Sequence, residues 1–445
     1  MKNERGKNGQ EMNPTHNPVG DFVVSRRDLL KMGIVVTTAE RIVEQHPPIR
    51  YPQDPLPPVP TATPDNKYDN ADSIPPREVL VTKEDVEKAY ENLNPYQKTY
   101  VYTNDNTNRA FSLFSEHPRN TSWASAWDHQ HIASALQTYR ELRDSLPAHM
   151  PEPTVITGAF WNQYGRPHYS SYPFNSNTTS YVDDGAWLGN IDADACKYAK
   201  DKQDTSTRAK FARSRSSMMF QSAVNNKDAD GGIYWVIQPH RNKDIAAVSN
   251  GPIVLLGTKL ASIDPDYKDY YLEESKKVYN WMRDTLLDPN THLYADRQET
   301  HKGIKTIIKD YTSYGQAHMI EAGFQLAKLT GDDKFAQDAE KTAFSVLTQG
   351  DMYTNPTVYF DAILIKSLYK VYQETTNKGL QELIRDRIVL YGNNLVRNGK
   401  IWDRPKGKYN ESKLKGSATL LQSQSASAEI LLITHALSSH TTASA

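Results

Sequence analysis

Two aspartates stand side by side in Tyr181-Val182-Asp183-Asp184-Gly185-Ala186-Trp187, framed by aromatic residues. Adjacent carboxylates repel, and beside apolar surface that repulsion raises the pKa of at least one of them. Such a pair has three uses. It can bind a metal, cap a helix, or divide acid and base roles between its members.

Composition narrows the setting. The 445-residue chain is long enough for one large domain or two ordinary ones. Its formal net charge of -1 leaves no electrostatic footprint for nucleic acid. A single cysteine, Cys196, excludes an intrachain disulfide and a multi-cysteine zinc site. No apolar run is long enough to span a membrane. The 26 tyrosines and 7 tryptophans suit sugar stacking, and equally a large helical core.

The elements that must carry the pair begin late in the chain. Residues 1–46 read as a disordered N-terminus, with Ser25-Arg26-Arg27-Asp28-Leu29-Leu30-Lys31 and the apolar stretch after it resembling a twin-arginine export signal. That pattern implies a secreted or cell-surface protein. Residues 47–76 hold ten of the 25 prolines, so 47–81 is an extended linker. The folded domain is expected over 82–440. Thr82 is an N-cap, with Asp85 three residues on. Helical periodicity then marks segments at about 124–146, 183–200, 206–225, 244–262, 265–287, 313–330, 333–349, 357–375, 378–396 and 420–438. A loop rich in Tyr, Pro and Asn fills 161–179, and Leu293-Tyr294-Ala295-Asp296 reads as a short extended piece. Short turns fall inside helix pairs and aromatic or Gly-rich loops between them, the arrangement of an all-α toroid of helical hairpins. An (α/α)6 barrel needs a twelfth helix, for which residues 100–123 offer room. An α-solenoid is the alternative, although no fixed repeat period is visible.

Several segments resemble family-76 glycoside hydrolases, the endo-α-1,6-mannanases of bacteria and fungi. The Tyr-x-Asp-Asp-x-Ala-Trp signature falls on Tyr181–Trp187, and a Gly-Gly-aromatic-Trp loop on Gly231-Gly232-Ile233-Tyr234-Trp235. Asp244–Asn250 keeps part of an Asn-x-x-x-Ser-Asn helix start. Ser313-Tyr314-Gly315-Gln316-Ala317 keeps the Tyr and Gln of a Thr-Tyr-Asn-Gln-Gly segment, and Gln424-Ser425-Ala426 matches the closing helix. The resemblance covers about 83–437. It implies an (α/α)6 barrel that hydrolyses α-1,6-linked mannose with retention, with Asp183 as nucleophile and Asp184 as general acid/base.

The residues agree with that chemistry. Retaining glycosidases hold their two carboxyls about 5–5.5 Å apart and inverting ones about 6.5–9.5 Å. Consecutive Cα atoms are ~3.8 Å apart, so two short Asp side chains reach the retaining distance easily and the inverting one only when splayed. Aspartates at a helix start also serve as plain caps. Trp187, Tyr234 and Trp235 are candidate stacking platforms, or core; the Gly-Gly loop suggests that Trp235 approaches a ligand. Asn250, Tyr314 and Gln316 can hydrogen-bond sugar hydroxyls, or respectively cap, pack and face solvent. Asp230 caps its loop or binds sugar. Asp192 and Asp194 read as a solvated helix face. His129 and His131, at i and i+2, do not share a face, so no metal is expected, and no cofactor. The expected partner is a mannose-containing polysaccharide or oligosaccharide, met by a monomer with no nucleic-acid role and no membrane span. A transglycosylase acting on cell-wall or glycolipid mannose glycans, and a non-catalytic glycan-binding barrel, are the competing readings.

Overall fold

The computed structural model describes residues 79–104, 107–115, 124, 126–163, 181–236, 243–348, 358–397 and 420–439. The twin-arginine segment, the proline-rich linker and most of the 161–179 loop lie outside the described residues. Leu80 and Val81, placed by the sequence at the end of the linker, already belong to the fold. Leu80 N–H donates to Asn393 Oδ1 at 2.9 Å, and Val81 is buried.

The described residues contain twelve helices: α1 Lys83–Glu91, α2 Ala126–Arg143, α3 Pro153–Gln163, α4 Val182–Asp201, α5 Thr207–Val224, α6 Ala247–Ile263, α7 Lys268–Thr285, α8 Ser313–Thr330, α9 Lys334–Thr348, α10 Val358–Glu374, α11 Lys378–Arg397 and α12 Leu420–Ser439. The even-numbered helices form a closed inner ring. Each packs on the next, and α12 returns to α2. The odd-numbered helices lie outside this ring, so the architecture is an (α/α)6 barrel.

Burial follows that division. In α6 only Lys259 and Ser262 escape full burial, whereas outer α7 buries one stripe through Tyr271, Ser275, Val278 and Met282. The ends of the helices are set locally. Thr82 Oγ1 accepts from Asp85 N–H at 3.1 Å while the Asp85 carboxylate takes Thr82 N–H at 2.9 Å, a capping box. Gly331, at φ 74°, closes α8 in the left-handed conformation.

Two expectations change. The twelfth helix is α3, not part of 100–123. Pro153 stands in its first turn, where a missing N–H costs nothing. Residues 97–114 instead form a hairpin, β1 Gln97–Asn104 and β2 Thr107–Phe114, paired from Gln97↔Phe114 to Asn104↔Thr107. The run Thr99-Tyr100-Val101-Tyr102-Thr103 carries the β preference. A second sheet of β3 Ile245–Ala246, β4 Arg297–His301 and β5 Ile304–Ile308 lies across the start of α6. No helix among the described residues is long and apolar enough to cross a membrane.

The barrel axis is charged. Lys259 Nζ lies 2.8 Å from Asp194 and 3.9 Å from Glu321, and Lys366 Nζ lies 3.7 Å from Asp194 and 3.9 Å from Glu429. Thr138 and Ser134 hydroxyls donate to Glu429 at 2.7 and 2.9 Å, Ser367 to Glu321 at 3.0 Å, and Lys370 Nζ pairs with Glu141 at 2.6 Å. All six inner helices contribute. Burial raises the pKa of Glu429, while Lys370 and Lys366 outweigh burial at Glu141 and bring it down to about 2. Asp194 therefore does not face solvent. Nor does Asp192, fully buried, with both oxygens on Arg215 at 2.6 and 2.7 Å and with Thr157 Oγ1 at 2.6 Å. Both sit on an inner helix, on sides covered by its neighbours. Removing one partner of a buried ion pair leaves the other charge uncompensated, at about 3–5 kcal/mol. Lys366→Met is expected to lower unfolding free energy by that amount in a urea titration; a change under about 1 kcal/mol contradicts a structural role for the girdle.

Candidate active site

Asp183 and Asp184 occupy the first turn of α4, at the mouth of the inner ring. The loop before α6 fixes this turn. Val182 N–H donates to the Trp235 carbonyl at 3.0 Å, and Tyr181 pairs with Val236 across a β-bridge. Trp235 then adds its side chain, Nε1–H donating to Asp183 Oδ2 at 3.1 Å. Among the described residues, Asp183 Oδ1 is buried and has no hydrogen-bond partner. Burial first, and the neighbouring Asp184 second, push the Asp183 carboxyl up to about 8, while the Trp235 N–H pulls the other way. Asp184 is only half-buried. The pair is thus asymmetric: one dry carboxyl that holds a proton, one wetter neighbour.

Aromatic rings surround it. Tyr181, 40 % exposed, sits 5.5 Å from Trp235 between ring centroids. Across the mouth, Tyr314 packs on Phe360 at 4.3 Å, and Phe360 meets Trp127 at 5.9 Å. Trp187, one turn below Asp183, is buried between Trp127 at 4.1 Å and His318 at 6.0 Å. It is the floor of the mouth and not an open platform. Beneath it a cavity of about 60 Å³ runs down to Lys366 and Glu429. Gln130, His131, Asn190 and His318 line it, each with a buried polar atom that has no partner among the described residues, so a few ordered waters fit there. Burial holds both imidazoles neutral, at about 3.

The structure brings Asp183, Asp184, Trp235 and Tyr314 together, and it gives other expected ligand contacts different work. Asn250 is fully buried: Oδ1 accepts from Ile233 N–H at 2.8 Å, and Nδ2 donates to the carbonyls of Ile233 and Ala246 at 2.9 and 2.8 Å. Gln316 does the same one hairpin later, its Oε1 on Tyr294 N–H at 2.7 Å and its Nε2 on the carbonyls of Tyr294 and Thr312 at 2.8 and 3.2 Å. These amides clamp the incoming loop to each inner helix and are spent on backbone. Gly231, at φ 106°, and Gly232 serve that loop too. A Cβ on Gly232 would meet Trp281 Cε2 at 2.5 Å, so the close approach is to Trp281 of α7 rather than to a ligand. Asp230 is exposed and paired with Lys305, and Tyr234 is half-buried against the core. Among the described residues, no three His, Cys, Asp or Glu side chains form a group able to hold a metal ion.

Trp127, Phe360 and the exposed ring of Tyr181 were not singled out from sequence. All three lie at the start of an inner helix: Tyr181 is the N-cap of α4, Trp127 the second residue of α2 and Phe360 the third of α10.

The sequence model of glycosyl hydrolase family 76 matches residues 87–394. In solved structures, the chain is similar to the α-1,6-mannanase GH76A of Salegentibacter sp. HEL1_6, at TM-score 0.62 and 20% identity over 80% of this chain and 98% of that one. A variant of that enzyme with two consecutive aspartates changed to asparagine is described as inactive, in complex with α-1,6-mannotriose. A family-76 mannosidase of Bacteroides thetaiotaomicron VPI-5482 aligns at TM-score 0.60 and 15% identity, over 80% and 99% of the two chains. Dfg5 of Chaetomium thermophilum, in complex with glucosamine, aligns at TM-score 0.56 and 16% identity, over 79% and 91%. Among curated proteins, the meiotically up-regulated gene 191 protein of Schizosaccharomyces pombe is 24% identical over 223 residues, a match spanning 49% of each chain. The matched part is therefore about half the length of that relative.

A carboxyl raised from 3.8 to about 8 binds its proton more tightly folded than unfolded. Its stability contribution is full below pH 3.8 and is lost as pH rises toward about 8. Asp183→Asn removes that loss. It is expected to raise the thermal midpoint by several degrees at pH 8 and by little at pH 4. Equal shifts at the two pH values in calorimetry contradict the buried, protonated state.

Proposed function

This chain belongs to glycosyl hydrolase family 76, and from that premise we propose that it cleaves α-1,6-mannosidic bonds of mannan-type glycans with retention, through Asp183 and Asp184. The observation that carries the reading is the asymmetric pair itself. A buried, partly unbonded carboxyl stands directly beside a half-buried one, under an aromatic wall at an open mouth. The inactive double-asparagine variant of the structural neighbour lends support, since there too two consecutive aspartates were changed.

In this reading Asp183 attacks the anomeric carbon while Asp184 gives its proton to the departing glycosidic oxygen. Water then displaces Asp183 from the glycosyl ester, with Asp184 taking the water's proton. In the resting pair the proton sits on Asp183, opposite to what attack requires. Sugar binding over Asp184 strips its water and raises its proton affinity, and the Trp235 N–H favours the Asp183 anion, so the proton passes from the first carboxyl to the second as the site fills. Tyr181, Trp235 and Tyr314 supply ring faces for the pyranose. The twin-arginine pattern at Arg26-Arg27 supports delivery to polymeric glycan outside the cell.

Two measurements test this. Asp184→Asn is expected to lower kcat on α-1,6-mannan by about 10²–10⁴-fold, and to lose much less on an aryl mannoside whose leaving group needs no proton. A 2-deoxy-2-fluoro-mannosyl fluoride is expected to label Asp183, seen by peptide mass spectrometry. Label on Asp184 reverses the roles, and full hydrolysis by both asparagine variants removes the pair from the chemistry. Elongated or re-linked glycans with little reducing sugar identify a transglycosylase instead.

A further inference from the structure

The loops leading into α6 and α8 are built alike. Lys227 bridges Ile233 in the first, and Leu287 bridges Tyr294 in the second. Asn250 and Gln316, each the fourth residue of its helix, clamp Ile233 and Tyr294 through the same three kinds of hydrogen bond. Two residues beyond each clamped position stand Trp235 and Asp296. Their carbonyls accept the first N–H of the preceding inner helix, Val182 at 3.0 Å and Ala247 at 2.7 Å. Their own N–H groups donate to Asp244 and Ile308 carbonyls at 2.8 and 3.1 Å. Asp296 is therefore the counterpart of Trp235, one helix further around the mouth.

Asp296 has work left to do. Arg297 holds its Oδ2, and the same guanidinium reaches Glu299 Oε1 from Nε at 2.8 Å, so the arginine is neutralised without consuming both Asp296 oxygens. Oδ1 carries no protein hydrogen bond among the described residues. The side chain is 13 % exposed, enough for a ligand hydroxyl to reach. Tyr314 lies beside it; burial, then Asp296, push the tyrosine hydroxyl up to about 12, with Asp183 adding to the rise. Asp296 caps the start of α6 through Ala247 N–H as Trp235 caps the start of α4, and α4 and α6 are neighbours in the inner ring, so Asp296 stands at the same end of the ring as the pair. An anchored carboxylate with one open oxygen is an acceptor for sugar hydroxyls, which are donors. Arg297 keeps it oriented, and Tyr314 offers the apolar wall beside it.

We propose that Asp296 is a substrate-orienting residue whose Oδ1 accepts a hydrogen bond from one hydroxyl of the mannosyl unit bound beside Asp183 and Asp184. It takes no part in bond breaking. The inference rests on the α-1,6-mannan reading above.

The test is calorimetric binding of α-1,6-mannotetraose and its monodeoxy analogues to the full chain carrying Asp183→Asn and Asp184→Asn. Adding Asp296→Ala is expected to weaken mannotetraose binding about tenfold or more, the range for a hydrogen bond to a charged group. One deoxy analogue is expected to lose a similar factor on the parent chain and nothing further on the Asp296→Ala chain. Asp296→Asn, which keeps an acceptor oxygen, recovers part of the loss and serves as the probe should the alanine variant not fold. Unchanged affinity in both variants overturns the proposal. So does an equal loss for every analogue, which marks a structural effect. Failure of the parent chain itself to bind mannotetraose sinks the mannan reading, and this proposal with it.

Discussion

Six helices can share one axis only if the polar groups they turn inward find partners there. In this barrel Lys259, Lys366 and Lys370 meet Asp194, Glu321, Glu429 and Glu141, with Ser134, Thr138 and Ser367 filling remaining lone pairs. An unpaired charge at that depth would cost several kcal/mol, so the girdle ties the ring's register to the pairing of specific side chains. The layer above it is aromatic and neutral: Trp127, Trp187, His131 and His318. Above that floor stand Asp183 and Asp184. Asp183 sits above that neutral layer, and its own burial, with Asp184 beside it, is what makes it hold its proton.

The loops complete the site by one repeated device. A side-chain amide in each of α6 and α8 grips the loop that precedes its helix, and the gripped loop presents its third residue over the neighbouring helix start. At α4 that residue is Trp235, which bonds Asp183. The geometry of the pair is therefore set by the clamped loop backbone together with the Trp235 indole. Asp183 is destabilised by its surroundings at neutral pH and kept there by everything around it, which is how stability is commonly exchanged for activity at a site.

Much of this was legible in the chain. Eleven helices announced themselves by apolar periodicity, and Thr82 and Gly331 marked ends by their capping chemistry. The Asp183-Asp184 pair stood out because adjacent acids between aromatics are electrostatically costly. What escaped was of two kinds. Helix α3 opens on Pro153 and carries no strong apolar stripe, and the β-branched and aromatic run at 99–103 favours strand where a helix was expected. More generally, a polar residue at a helix start can face a ligand, cap or solvent, and here the two amides clamp backbone. Asn250 and Gln316 answer to backbone groups far away in sequence, and Gly232 makes room for Trp281; neither need is visible without the fold. Asp192 and Asp194 looked solvated because a sequence does not state which helices line the inside of a ring.

The central claim is that the adjacent pair performs a double displacement on α-1,6-mannan. The most direct measurement is a proton NMR time course of products released from that polymer. Double displacement predicts that the α anomer of the new reducing end appears first and then mutarotates to the equilibrium mixture. Initial appearance of the β anomer would contradict it.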